Sequence, residues 1–164
     1  MSLSLVILPT PSQIDEINKH VFPLNFNSSW QKVSPVNMHL TICQLDSLQD
    51  VSLDKASMLL NETLHFDQIK TVSWNNPKTV WLKAKSNPVL QKISEEYHLL
   101  NDRRKSNQKF TPHITVARTK DGRNANIIQR DINFHFKIER VALIKSVYNR
   151  QVRNFNILKE LYIH

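Results

Sequence analysis

Two short stretches of the chain each place a histidine and a threonine two residues apart. In "NMHLTICQL", residues 37–45, they are His39 and Thr41; in "FTPHITVAR", residues 110–118, they are His113 and Thr115. Both stretches read as strands. In a strand, residues i and i+2 share a face. His39 and Thr41 then point one way, and Met38, Leu40 and Ile42 the other. The second stretch repeats the arrangement, with Pro112, Ile114 and Val116 behind His113 and Thr115. Each has an apolar back and a polar front, so two fronts meeting in one cleft would present two imidazoles and two hydroxyls together.

That set suits chemistry on a phosphodiester. A neutral imidazole can take a proton from an attacking water or hydroxyl while a protonated one donates to the leaving oxygen. An ordinary histidine pKa of roughly 6.5 makes both forms accessible near neutrality. Threonine hydroxyls can donate to non-bridging oxygens where charge builds. The scheme needs no metal, and two histidines alone are an incomplete zinc shell. Either motif alone is as readily a half-buried structural histidine. With seven histidines and eight threonines in 164 residues, composition yields well under one His-x-Thr. Finding two, both strand-like, is what argues for a site.

The composition narrows the field. At 164 residues, 40% hydrophobic and 22% charged, the chain matches one globular domain of residues 1–164, with two similar lobes and no separate linker. No apolar run approaches the roughly 20 residues that span a bilayer, so no membrane association is expected. The opening "MSLSLVILPTP" has no basic n-region and no small-residue cleavage site and reads as a first strand rather than a signal peptide. Cys43 is the one cysteine, which excludes an intramolecular disulfide and fits a reducing, cytoplasmic setting. A net charge of +8 favours a polyanionic partner, with solubility alone as the bland alternative. Gly122 is the one glycine, so no glycine-rich phosphate loop exists. No cofactor is implied, and a monomer is expected.

The elements that must position the two motifs follow from periodicity and punctuation. Residues 3–8 read as a buried strand. Residues 10–21 read as a helix capped by Ser12, with acids in its first turn and Ile14, Ile17 and Val21 on one face. Residues 22–37 read as an irregular loop, and 38–45 as a strand. Residues 51–63 fit a helix with Leu53, Ala56 and Leu60 on one side. Strands are expected at 64–74 and 79–85 across a turn at Asn75-Asn76-Pro77. The clearest helix spans 88–100, capped by Asn87, opened by Pro88 and striped by Leu90, Ile93, Tyr97 and Leu100. Residues 112–118 are a strand, a short helix is expected near 124–130, and the last third is β-rich. The class is α+β with antiparallel pairing.

The ordered set of motifs resembles the 2H phosphoesterase superfamily, in particular its 2′-5′ RNA ligase-like (LigT-like) branch. "PVNMHLTI" looks like that branch's first motif and "TPHITVAR" like its second. "KTVWLKAKSNPVLQKI" resembles its strand-then-helix middle, and "ALIKSVYNRQVRNFNIL" its closing strand pair. The resemblance implies a bilobal fold with two pseudo-symmetric antiparallel sheets, flanking helices and a central cleft. It implies metal-independent hydrolysis or transfer at RNA ends, opening 2′,3′-cyclic phosphates to 2′-phosphates, with RNA termini or oligonucleotides as partners. By position, His39 and His113 are the acid/base pair, and Thr41 and Thr115 bind phosphate. Viral and animal relatives cleave 2′-5′ oligoadenylate instead, and the motifs do not separate the two. Here the first motif continues as "CQLD" rather than the Phe-Leu-Gly turn of bacterial relatives.

Further candidates surround this set. Arg118 stands where the family often has a basic residue, although strand parity puts it on the face opposite His113. Tyr148, with Ser146, sits where the family closes its cleft. Arg103, Arg104, Lys105 and Lys109 offer a guide for an RNA backbone. Trp30, Trp81, Phe110 and Tyr148 offer stacking surfaces for a base. Parity puts Cys43 on the face of Thr41, which makes a Cys–His nucleophile a rival that leaves the duplicated threonines unexplained. A non-catalytic RNA- or nucleotide-binding module is the rival from another class. His20, His65, His98, His135 and His164 stand in no paired context.

Overall fold

A computed structural model describes residues 2–46, 51–73, 78–101, 110–119, 124–149 and 152–163; for residues 2, 148, 149, 152 and 153 it describes the backbone only. The strands are β1 (Ser2–Ile7), β2 (Trp30–Lys32), β3 (Leu40–Leu45), β4 (Thr63–Val72), β5 (Thr79–Ala84), β6 (His113–Thr119), β7 (Gln129–Lys137), β8 (Arg140–Asn149) and β9 (Val152–Tyr162). The helices are α1 (Pro11–Val21) and α2 (Pro88–His98).

Every strand pairing is antiparallel, and the order is β7-β4-β5-β6-β3-β1-β8-β9, with β2 on β6. The α+β class and the two antiparallel halves thus match the expectation. One half is β7-β4-β5-β6, the other β3-β1-β8-β9. The seam between them is a single pair, Leu40 opposite Ile114. Beyond it β3 and β6 run apart, because both strands begin at the seam and are antiparallel.

The sheet has a core face and a histidine face. Leu40, Ile114 and Leu82 join Ile17 and Val21 of α1 and Leu90, Ile93 and Tyr97 of α2 in one buried core, so both helices cover the same side. Each helix also crosses the seam. α1 follows β1 yet anchors on β7, where Gln13 Nε2 donates to the Lys137 carbonyl (2.7 Å) and His20 stacks on Phe134. α2 follows β5 yet Ser94 Oγ donates to the Ile42 carbonyl of β3 (2.8 Å). The halves are therefore held together from behind, and the histidine side of the seam is left to other work.

Several expectations are corrected. α1 is capped by Thr10, not Ser12: Thr10 Oγ1 accepts from Gln13 N–H while the Gln13 side chain accepts from Thr10 N–H, and no acid lies in the first turn. A glutamine three residues on makes the reciprocal box that Ser12 lacks. The expected helix over 51–63 shrinks to a 3-10 turn, Lys55–Leu59, and Asn61 adopts a positive φ of 74°. Val51, Leu53, Ala56 and Leu59 still reach the core, so burial survives without helical period. Residues 22–37 are less irregular than expected, holding β2 and a 3-10 turn, Pro35–Asn37. The segment near 124–130 is not helical; β7 begins at Gln129. Leu100 lies past α2 and is exposed. The Asn75-Asn76-Pro77 turn lies outside the described residues. Among the described residues, no helix is long and apolar enough to cross a membrane.

Candidate active site

His39 and His113 flank the seam. Carrying the Leu40–Ile114 register one residue each way brings His39 opposite Thr115 and Thr41 opposite His113. Leu40 and Ile114 are buried on the core face, so the four polar residues share the other face, where all are half-buried. The strands thus bring both motifs together, crossed over.

The local geometry of the two imidazoles is the same. His39 Nδ1 lies 2.8 Å from the Asn37 carbonyl, and His113 Nδ1 lies 2.8 Å from the Thr111 carbonyl. A carbonyl can only accept, so Nδ1 of each ring carries the hydrogen, and each neutral ring keeps its lone pair on Nε2. The intervening residue, Met38 or Pro112, is buried and anchors each approach. This explains why an apolar residue precedes each histidine: it pins the backbone that sets the tautomer.

The surroundings are not symmetric. The Trp81 indole stacks on His113, with centroids 3.6 Å apart and planes 10° off parallel. His39 instead meets Phe155 edge-on, at 5.6 Å and 78°. Burial pushes the His113 pKa below its ordinary value; the bond to Thr111 opposes that, and His39 adds to it. The sequence marks Trp81 as a stacking surface but not as the partner of His113, and it does not single out Phe155, since register decides that Trp81 faces Thr115 and that Phe155 faces Ser146 across β8 and β9.

A β-bulge follows each motif and changes what parity implied. β1 pairs Leu5 with Cys43 and then Val6 with Thr41, skipping Ile42. β5 pairs Val80 with Ala117 and then Trp81 with Thr115, skipping Val116. The extra residue shifts the alternation by one. Cys43 therefore turns into the core, 2% exposed, rather than onto the face of Thr41. Burial, with Asp46 nearby, raises its pKa to about 12, which removes it as a nucleophile. Arg118 moves the other way. It lies opposite Thr79, which shares its side of β5 with Trp81, so Arg118 joins the face of His113 and Thr115. Gln44 is its counterpart on β3, opposite Ser4.

The other candidates fall as follows. Trp30 is buried and donates from Nε1 to Asn126. Phe110 packs against the core. Trp81 lays its ring on His113. Ser146 is half-buried on the histidine face. Tyr148 lies opposite Arg153 in β8, and its side chain is outside the described residues, as are Arg103, Arg104, Lys105 and Lys109. Among the described residues, no three or more His, Cys, Asp or Glu side chains group to hold a metal ion.

Comparison with known proteins agrees with this architecture. The family described as the 2′-5′ RNA ligase superfamily matches residues 60–150. Among solved structures, the Thermus thermophilus protein TT0787 superimposes with a TM-score of 0.68 at 20% identity, covering 99% of this chain and 97% of that one. Escherichia coli LigT complexed with NADP+ gives 0.68 at 22% identity, covering 98% and 96%. A crystal structure described as a phosphoesterase gives 0.69 at 22% identity, covering 99% and 98%. LigT has also been solved with ATP, phosphate and 3′-AMP. No curated protein matches by sequence. The chain belongs to the 2′-5′ RNA ligase superfamily, and its fold is that of LigT and TT0787.

Proposed function

We propose that the protein is a metal-independent phosphodiesterase of RNA ends or short oligonucleotides, opening 2′,3′-cyclic phosphates to 2′-phosphates. The observation that carries this is the crossed pair of His-x-Thr motifs, each histidine holding its hydrogen on Nδ1 and its reactive lone pair on Nε2. The nucleotides and phosphate seen bound to LigT support the ligand class.

His113 is the base in hydrolysis. It is the more enclosed ring by its stack with Trp81, and its lowered pKa keeps Nε2 unprotonated near neutrality. Nε2 of His113 takes a proton from water as the water oxygen bonds to phosphorus. The bond from phosphorus to the ribose oxygen breaks, and protonated His39 delivers its Nε2 hydrogen to that oxygen. The product is a phosphomonoester, and a proton exchange with solvent resets the pair. Thr41 and Thr115 donate to the non-bridging oxygens, with Arg118 adding charge on the same face. Each acid–base group of this kind contributes about 10²–10⁴ in rate.

The test is incubation with EDTA and two substrates, an RNA bearing a 2′,3′-cyclic phosphate and 2′-5′ triadenylate, beside His39→Ala and His113→Ala. Opening of the cyclic end, lost in both variants, supports the reading. Cleavage of the triadenylate alone moves the protein to the oligoadenylate phosphodiesterases. Inertness on both, with RNA binding retained, makes it a binding module.

A further inference from the structure

A row of basic side chains leaves the histidine pair along the face the pair occupies. Lys83 lies opposite His113 across β5 and β6, and so shares its face. Lys85, two residues on, is on the same side, and its N–H donates to the His65 carbonyl of β4 (2.7 Å). His65 lies opposite His135 of β7, with ring centroids 5.3 Å apart. Lys137, two residues beyond His135, completes the row, opposite Thr63. Lys85, His65, His135 and Lys137 are all exposed. Adjacent strands are about 4.8 Å apart and i, i+2 neighbours about 6.7 Å, so the basic groups follow one another in short, regular steps.

The charge balance of this region is one-sided. In β4, β5 and β7 the carboxylates are Asp67 and Asp131. Asp67 is engaged by Lys83 at 3.6 Å, and Asp131 lies opposite Gln68. The opposite flank of the cleft differs: there Val6, Leu8, Ala142 and Ile144 form an apolar cluster under Phe155. Among the described residues, a polyanion that leaves the cleft past Lys83 meets this basic row.

We propose that Lys85, His65, His135 and Lys137 form an exosite for the phosphodiester backbone of a single-stranded RNA whose 3′ end occupies the cleft. The proposal rests on the catalytic reading above for its orientation, and it deepens that reading. The preferred substrate is a strand several nucleotides long, not a cyclic mononucleotide. Histidines that stand alone in the sequence become one surface through the β4–β7 register.

The experiment measures anisotropy of a fluorescent ten-nucleotide RNA with a 3′-phosphate across a salt series. Wild type is compared with Lys85→Ala/Lys137→Ala and His65→Ala/His135→Ala, and turnover of a 2′,3′-cyclic mononucleotide is followed in parallel. The exosite predicts at least about tenfold weaker binding in the lysine variant. Two lost phosphate contacts also lower the slope of log K against log salt by about 1.4. Mononucleotide turnover is unchanged. Equal affinity and slope in wild type and both variants overturn the exosite, even with turnover intact. Lysine-dependent RNA binding without turnover of any cyclic phosphate upholds the exosite and overturns the catalytic reading instead.

Discussion

Leu40 and Ile114 face each other across the seam of the sheet, and each stands between a histidine and a threonine. Their side chains fill the core while the flanking residues project to the other face, so one apolar contact aligns four polar groups. Truncating either to alanine is expected to cost about 2–5 kcal/mol through the lost burial and the cavity left behind. Because the pair is also the seam, Leu40→Ala is expected to lower turnover in the fraction still folded. Urea unfolding and turnover on the same sample check both; activity that follows only the folded fraction argues against an aligning role.

The stack of Trp81 on His113 makes a separate claim. Trp81→Leu removes the plate that fixes the imidazole and keeps it dry. The expected result is a fall in kcat of about a hundredfold from loss of alignment. The acidic limb of the pH profile moves up toward the ordinary histidine value, because burial is what lowers the His113 pKa. Trp81→Phe retains part of the stack and restores part of both effects. An unchanged pH profile in Trp81→Leu would reduce the tryptophan to packing.

Stability carries the same signature. His113 has a folded pKa below its unfolded value, so between the two values the unfolded chain holds the additional proton. Its contribution to stability is present above the unfolded pKa and is lost as pH falls through the folded one. His113→Gln, which does not titrate, is expected to flatten that part of the stability curve below neutrality. Chemical unfolding from pH 7.5 to 5 measures it, and parallel curves for the two proteins would refute the assignment.

Cys43 tests the bulge. With its thiol turned into the core and its pKa raised to about 12, it is expected to resist iodoacetamide in the native protein and to react once urea unfolds the chain. Cys43→Ala is expected to keep full turnover. Rapid native alkylation with loss of activity would mean that the thiol faces the cleft.

The elements whose evidence is local were legible in the sequence. β1, β3, β6 and α2 follow from apolar runs, Asn87 and Pro88, and the His-x-Thr alternation places each histidine beside its threonine whatever the rest of the chain does. The helix expected over 51–63 failed because three apolar residues at helical spacing need only a surface to bury against, and a short turn beneath the sheet supplies it. Cys43 and Arg118 exchanged faces for a related reason. Parity is a property of one strand, whereas a bulge is a property of a pair, created when Leu5 meets Cys43 and Val80 meets Ala117.

The types of the candidate site residues, their spacing and the apolar backs that make each motif a strand were all set by the sequence. Tertiary structure alone decided that Thr41 faces His113, that Trp81 covers one imidazole and not the other, and that His65 meets His135. The physical reason is that neighbours two residues apart are set by backbone geometry, while neighbours across strands are set by register, and register is fixed when the core closes behind Leu40 and Ile114.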